Sequence, residues 1–395
     1  MDRFTAAERA LRQAAPHALL QAVQDTLTTH YGAVSVDLLM ADYAMTILQP
    51  VSELPYTGEP IPVHSSPAGR AFGAQQPYVE TDDRTGLLNA HLPISVRGDR
   101  LGVLTVGLDR NAYDAVTERE FWEIAEVLGH EIVVAERDTD VYLQARRASR
   151  LTLAAEMQWQ LLPGRSCSRP EYDIGAQLEP AYAIYGDNFD WSSSADHLTL
   201  VITNGMGEGI EAALLTNLAV NALRNARRAG LSLSDQACLA DQAVYGHYQG
   251  RVYLSSLLLR FDLDTGNTQI VDAGSPRMWR LRQGKAERIQ PEAQMPLGMF
   301  EETPYTSEPF QVEPGDRLVF VSDGIYNVAS PAGERYSEMA LMRALTNTRL
   351  LPASQVPRAV LQELAGHRGP IDADDDAMLV CLDWRGRDQR VRSDP

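Results

Sequence analysis

Apolar positions near the start of the chain recur at helical spacing over residues 6–31, where Ala10, Leu11, Ala14, Leu19, Leu20, Val23 and Leu27 fall mostly on one face. Strand-like runs follow at 34–40 and 44–50, and then a polar, proline-broken stretch, 52–67. Ser66 suits the cap and Pro67 the first turn of a short helix there. Residues 91–96 and 101–108 predict two strands around Arg97-Gly98-Asp99-Arg100, a polar hairpin turn. A helix over 117–137 puts Phe121, Ile124, Ala125, Leu128, Ile132 and Val133 on a buried face. One long helix is predicted over 140–162, ended by Pro163-Gly164. Its narrow stripe of Ala148, Leu151, Ala155, Trp159 and Leu162 lies between Arg146, Arg147, Arg150 and Glu156. Such a stripe suits a coiled-coil seam in a homodimer, or packing against the next domain. From residue 171 strands alternate with helices: strands at 172–182, 197–203, 317–321 and 377–383, and a helix at 210–228.

Composition narrows the function classes. A chain of 395 residues has room for two cores, and 44% hydrophobic with 22% charged residues is ordinary globular usage. A net charge of −18 argues against a nucleic-acid partner, since such a surface repels a phosphate backbone. Cys167, Cys238 and Cys381 match neither a zinc spacing nor a disulfide framework. No signal-peptide pattern and no bilayer-spanning apolar run occur, so the expected location is cytoplasmic with no membrane partner.

The chemistry lies in polar turns that abut apolar strands. They are Tyr185-Gly186-Asp187-Asn188-Phe189-Asp190, Asn204-Gly205-Met206-Gly207-Glu208-Gly209, Ser322-Asp323-Gly324 and Asp374-Asp375-Asp376. Singly, an Asp-Gly pair is a hairpin turn and an Asp run a solvated surface. If the strands are neighbours, the carboxylates converge at one edge, where Mg²⁺ or Mn²⁺ finds the oxygen ligands it prefers.

Two resemblances follow. The run Leu92-Pro93-Ile94-Ser95-Val96-Arg97-Gly98-Asp99-Arg100-Leu101-Gly102-Val103-Leu104, within the order helix, strands, broken loop, strand pair and helix, resembles the central hairpin of a GAF domain. That implies a sensor of an unknown small molecule or protein; His30, His64, His91 and His130 are too scattered for a haem or metal site. Residues 154–384 resemble the SpoIIE/RsbU branch of the metal-dependent type-2C (PPM) serine/threonine phosphatases. The matches run in chain order: Gln158-Trp159-Gln160-Leu161-Leu162-Pro163, the turns at Asp187 and Asn204, Ala212-Ala213, Ala273-Gly274-Ser275-Pro276, Pro296-Leu297-Gly298, Pro314-Gly315-Asp316 through Asp323-Gly324, and Asp374 to Val380.

The resemblance implies an α+β protein: residues 1–137 a GAF-like antiparallel sheet with helices, 138–163 a linker helix, 164–385 an α-β-β-α sandwich, and 386–395 a flexible tail. It also implies a two-metal Mn²⁺ or Mg²⁺ site with Asp187, Asp323 and Asp374 as catalytic ligands, Gly205 offering its carbonyl, and Asp375 exchanging roles with Asp374 if the register slips by one. The implied partner is a phosphoprotein of the anti-sigma-factor-antagonist type. Asn204 stands where the family has its bridging aspartate, and an amide bridges two cations poorly. Tyr185, Ser275, Asn327 and Ala377 depart from the pattern too. A phosphatase with a weakened metal site, a pseudophosphatase that binds its partner, and a sensor scaffold all remain open.

Overall fold

The computed structural model describes residues 2–51, 60–82, 85–179, 186–274, 276–370 and 375–387. Two compact units divide the chain at residue 150. Helix and strand are mixed in both, as an α+β chain requires.

The first unit comprises α1 (Arg3–Gln13), α2 (Leu19–Tyr31), β1 (Ser35–Ala41), β2 (Ile47–Pro50), β3 (Ile61–Pro62), α3 (Pro67–Ala74), β4 (Tyr78–Thr81), β5 (Leu88–Val96), β6 (Asp99–Leu108), α4 (Ala115–Ala135) and α5 (Val141–Ala145). Its antiparallel sheet has the order β3-β2-β1-β6-β5-β4. The helix expected over 6–31 is two, because Pro16 lacks an amide hydrogen and holds Ala15 in the extended region. Ser66 caps α3, its hydroxyl accepting from Gly69 N–H at 3.0 Å. The β5–β6 turn places Arg97 and Gly98 at positive φ, the geometry of a tight two-residue hairpin. Helix α4 buries Phe121, Ile124, Leu128 and Ile132 in one core with Leu92, Ile94, Leu104 and Val106.

The long helix expected over 140–162 is likewise divided. Tyr142 and Ala145 of α5 are buried in the first core, and a fresh helix, α6 (Leu153–Leu161), starts where the Thr152 hydroxyl accepts from Ala155 N–H at 3.1 Å. Between them Arg146, Arg147 and Arg150 crowd like charges into a single turn, which weakens helix there. Of the stripe residues, Leu151 and Ala155 are buried, Trp159 and Leu162 half-buried and Ala148 exposed.

The second unit continues with β7 (Ser166–Arg169), β8 (Tyr172–Glu179), β9 (Asp187–Ser193), β10 (His197–Gly205), α7 (Gly209–Arg228), α8 (Leu233–Tyr248), β11 (Leu254–Asp262), β12 (Asn267–Ala273), β13 (Arg277–Arg282), β14 (Lys285–Ile289), β15 (Glu308–Gln311), β16 (Arg317–Val321), α9 (Asp323–Tyr326), α10 (Glu338–Asn347), α11 (Val356–Arg368) and β17 (Ala377–Trp384). Two antiparallel sheets result, β15-β12-β11-β10-β9 and β14-β13-β16-β17-β8-β7. Strand alternation explains the layers. Val319, Val321, Leu379 and Cys381 pack with Leu341, Leu345, Val360 and Leu361 of α10 and α11. Their neighbours Leu318, Phe320, Met378, Val380 and Leu382 are fully buried on the opposite face, where Trp384 meets Phe261 of the other sheet at 5.7 Å between ring centroids. Helices α7 and α8 cover the outer face of the five-stranded sheet through Leu215, Leu223, Ala237 and Val244 against Val201, Leu258 and Val271. The unit is an α-β-β-α sandwich.

Candidate metal centre

The acidic turns meet at one end of that sandwich because their strands end there. In the β9–β10 ladder Asn204 lies opposite Asp187, and Gly205 opposite Leu254 of β11. In the other sheet Val321, the last residue of β16, lies opposite Leu379 of β17, which fixes Ser322-Asp323 beside Asp376. The two sheets are joined across this end. The Asp376 carboxylate accepts from Gly186 N–H at 2.9 Å and from Asp187 N–H at 3.1 Å. Gly324 packs so closely that a Cβ there would lie 1.8 Å from the Asp376 carbonyl oxygen, so only glycine fits.

Asp187 is 3% exposed, and its Oδ2 has no hydrogen-bond partner. Burial, and then the charge of Asp376, push its carboxyl well above the usual carboxylate range; a hydrogen bond from Ser322 opposes this, and Asp323 and Asp375 add to it. The Ser322 hydroxyl also accepts from Met378 N–H at 2.9 Å. Backbone around Asp187 is fixed from the helix side, where Thr216 Oγ1 donates to the Gly186 carbonyl at 2.8 Å and Gln158 Nε2 donates to the Asp187 carbonyl. Asp375 is exposed, and desolvation and then Asp323 raise its pKa. The amide of Asn204 donates through Nδ2 to Asp323 Oδ1.

Of the residues singled out in the sequence, Asp187, Asn204, Gly205, Asp323 and Asp375 share this end of the sandwich. Asp374, Tyr185, Ser275 and the segment 388–395 lie outside the described residues. The aspartate that ties the sheets together is Asp376, the third of the triplet. A triplet of identical residues carries no register, so spacing alone could not single it out. Thr216 was likewise missed, and Gln158 stood only in a family match with no role assigned; both touch backbone rather than carboxylates.

The donor set suits a hard cation, with all-oxygen ligands and an orphaned buried Asp187 Oδ2. Asn204 offers a single neutral oxygen, and its nitrogen already occupies Asp323. Among the described residues no group of three acidic, histidine or cysteine side chains is placed to hold a metal ion.

The same crowding sets a pH dependence. The folded state holds the Asp187 proton above the ordinary value of 3.8, where the unfolded chain has released it. The resulting stability is therefore present at acid pH and lost as pH rises through the folded value. In chelator, the wild-type thermal midpoint should fall as pH rises above the ordinary carboxylate range, and Asp187→Asn should flatten that slope. A steeper slope in the variant would contradict this reading of the site.

Comparison with known proteins agrees with the geometry. Residues 194–385 match the family described as Stage II sporulation protein E (SpoIIE). This region is a SpoIIE-type PPM phosphatase domain. Around it, similarity extends to Protein IcfG of Synechocystis sp., 24% identical over 257 residues that make up 57% of this chain and 40% of that protein. It extends also to Phosphoserine phosphatase RsbU of Bacillus subtilis, 23% identical over 200 residues, 50% of this chain and 60% of that protein. The chain thus spans about half the length of the curated relatives it matches. Among solved structures, the SiaA-PP2C domain of Pseudomonas aeruginosa shares the SpoIIE domain's fold, with a TM-score of 0.50 at 20% identity over 59% of this chain and 94% of that one. Among the described residues no helix is long and apolar enough to cross a membrane.

Proposed function

We infer that the SpoIIE-type domain acts on a phosphorylated serine or threonine of a protein partner, with its divalent-cation centre weakened at Asn204. The observation that carries this is the meeting of Asp323, Asp375 and Asp376 around Asp187, with Asn204 bonded to Asp323, in a domain of phosphatase type. Asp187, Asp323, the Gly205 carbonyl, and Asp374 or Asp375 would hold Mn²⁺ or Mg²⁺. A bound cation would polarise the phosphoryl group and water. The chain's own residues set the stage for it: Ser322 orients the Asp187 carboxyl, and Asp376 fixes the backbone of Gly186 and Asp187. RsbU, by its name a phosphoserine phosphatase, supports a phosphoserine substrate, and a small phosphoprotein of the anti-sigma-factor-antagonist type is the partner we favour.

One contact favours a second reading. The Asn204 amide donates a hydrogen bond to the Asp323 carboxylate, satisfying by a neutral donor an oxygen that a two-metal centre would give to a cation. A pseudophosphatase that binds its partner without turnover would need no more. For the first unit, the six-stranded antiparallel sheet backed by helices supports a GAF-like sensor of a small molecule or protein, regulating the domain that follows it in the chain. The experiment is Mn²⁺-dependent hydrolysis of a phosphoserine peptide by the wild type and by Asn204→Asp. Weak wild-type turnover that rises at least about tenfold in the variant, which is about 1.4 kcal/mol in the barrier, supports the first reading. Turnover in the variant alone supports the second, and none in either sinks the first.

A further inference from the structure

A basic pair stands next to the acidic centre in this strongly acidic protein. Arg277 begins β13 directly opposite Val321, the residue before Ser322-Asp323, so the sheet register itself sets it beside the site. Its guanidinium lies over the Tyr326 ring at 3.6 Å from the centroid, and Tyr326 ends α9, which starts at Asp323. Tyr326 thus joins two fields: Arg277 and Arg288 act on its hydroxyl with one sign, Asp323 and Asp187 with the other. Arg288 arrives from β14, paired to β13 through Trp279.

Both guanidiniums converge on one carboxylate oxygen. Glu338 Oε1 is 2.5 Å from Arg277 Nη1 and 3.0 Å from Arg288 Nη1. Glu338 is the first residue of α10, whose cap is Ser337, so the same carboxylate also sits at a helix N-terminus. Two forked donors and a helix N-terminus are the parts of a phosphate cradle. One carboxylate balances only one of the two guanidinium charges. The glutamate side chain is 46% exposed and the arginines 27% and 34%, so the cradle opens to solvent and its carboxylate can swing away.

We propose that Arg277 and Arg288 form an anion subsite for the phosphorylated side chain of the partner, and that Glu338 fills it while no partner is bound. This rests on the phosphoprotein reading above, and it needs no metal. A phosphoserine dianion replaces the Glu338 carboxylate on both arginines, gaining a second charge and further acceptor oxygens. The Tyr326 ring packs against the Arg277 guanidinium, so less side-chain freedom is lost on binding.

The test is calorimetric titration of the full chain with N-acetyl-phosphoserine amide in chelator, and with the unphosphorylated amide as control. Glu338→Gln keeps the helix start but removes the internal anion, and should tighten binding of the phosphorylated probe about threefold or more. Arg277→Gln combined with Arg288→Gln should abolish that binding, with a thermal midpoint near the wild type as the check on folding. Equal binding by the double variant, equal affinity for the unphosphorylated probe, or weaker binding by Glu338→Gln would each overturn the subsite. The hydrolysis experiment fails separately. Turnover gained by Asn204→Asp while the arginine variant still binds removes the subsite and leaves the phosphatase reading intact.

Discussion

Asn204→Asp is expected to make the stability of the second unit depend on divalent cations. Without metal, the exchange removes the hydrogen bond that Asn204 donates to Asp323 and sets another carboxylate beside Asp323 and Asp187. A hydrogen bond to a charged group contributes roughly 1.5–3 kcal/mol, and repulsion between like charges adds to its loss. Uptake of a proton relieves part of that repulsion, so a net loss of about 2 kcal/mol is expected in chelator. For a unit of this size that lowers the thermal midpoint by roughly 4–8 °C. Mn²⁺ reverses the sign, because a bridging carboxylate attracts where an amide nitrogen repels. At an effective dielectric near 20, a unit charge at close range is worth roughly 4 kcal/mol, and solvent discounts this to at least about tenfold in Mn²⁺ affinity. The wild type should show a much smaller midpoint shift with Mn²⁺. A variant as stable as the wild type in chelator, with the same response to Mn²⁺, would show that Asn204 is not what weakens the centre.

The strands that carry the site were legible because their local code is strong. Residues 317–321 were expected as a strand and form β16 with those bounds, since five apolar or long side chains lie between Pro314-Gly315-Asp316 and Ser322-Asp323. Turn chemistry marked the hairpin at Arg97-Gly98 in the same way. What failed was continuity and partnership. Helical spacing persists through 140–162, yet Tyr142 joins the core of the first unit and Ala155 is buried in the second, and periodicity cannot say which unit a residue will join. The bonds from Asp376 to Gly186 and Asp187 span about half the chain, and no spacing rule reaches that far. Neither the convergence of Arg277 and Arg288 on Glu338 nor the partners of Asp190 could be read from a single sequence, because each depends on which strands and helices become neighbours.

Asp190 shows why two aspartates of one turn must not be given one role. Along β9, residues 187 and 190 are an odd number of positions apart, so their side chains leave opposite faces of the strand. Asp187 turns to the acidic centre, whereas Asp190 turns to α7 and is 2% exposed. There its Oδ1 accepts from Arg224 Nε at 3.2 Å and Nη2 at 2.7 Å, and its Oδ2 accepts from Arg227 Nη1 at 2.9 Å. Arg224 Nη2 also donates to the Leu161 carbonyl at 2.6 Å, so the end of α6, strand β9 and helix α7 are tied by one carboxylate. Removing one member of a buried ion pair strands the other charge, which typically destabilises by about 3–5 kcal/mol. The arginine side chains keep 17% and 14% exposure and can turn partly toward water, so the lower end applies, about 3 kcal/mol for Asp190→Ala. Urea denaturation of the second unit's transition measures it. Mn²⁺ affinity of the folded protein should stay at the wild-type value, since the carboxylate lost faces away from the centre. A variant that keeps its stability but loses cation binding would place Asp190 in the metal site and reverse this assignment.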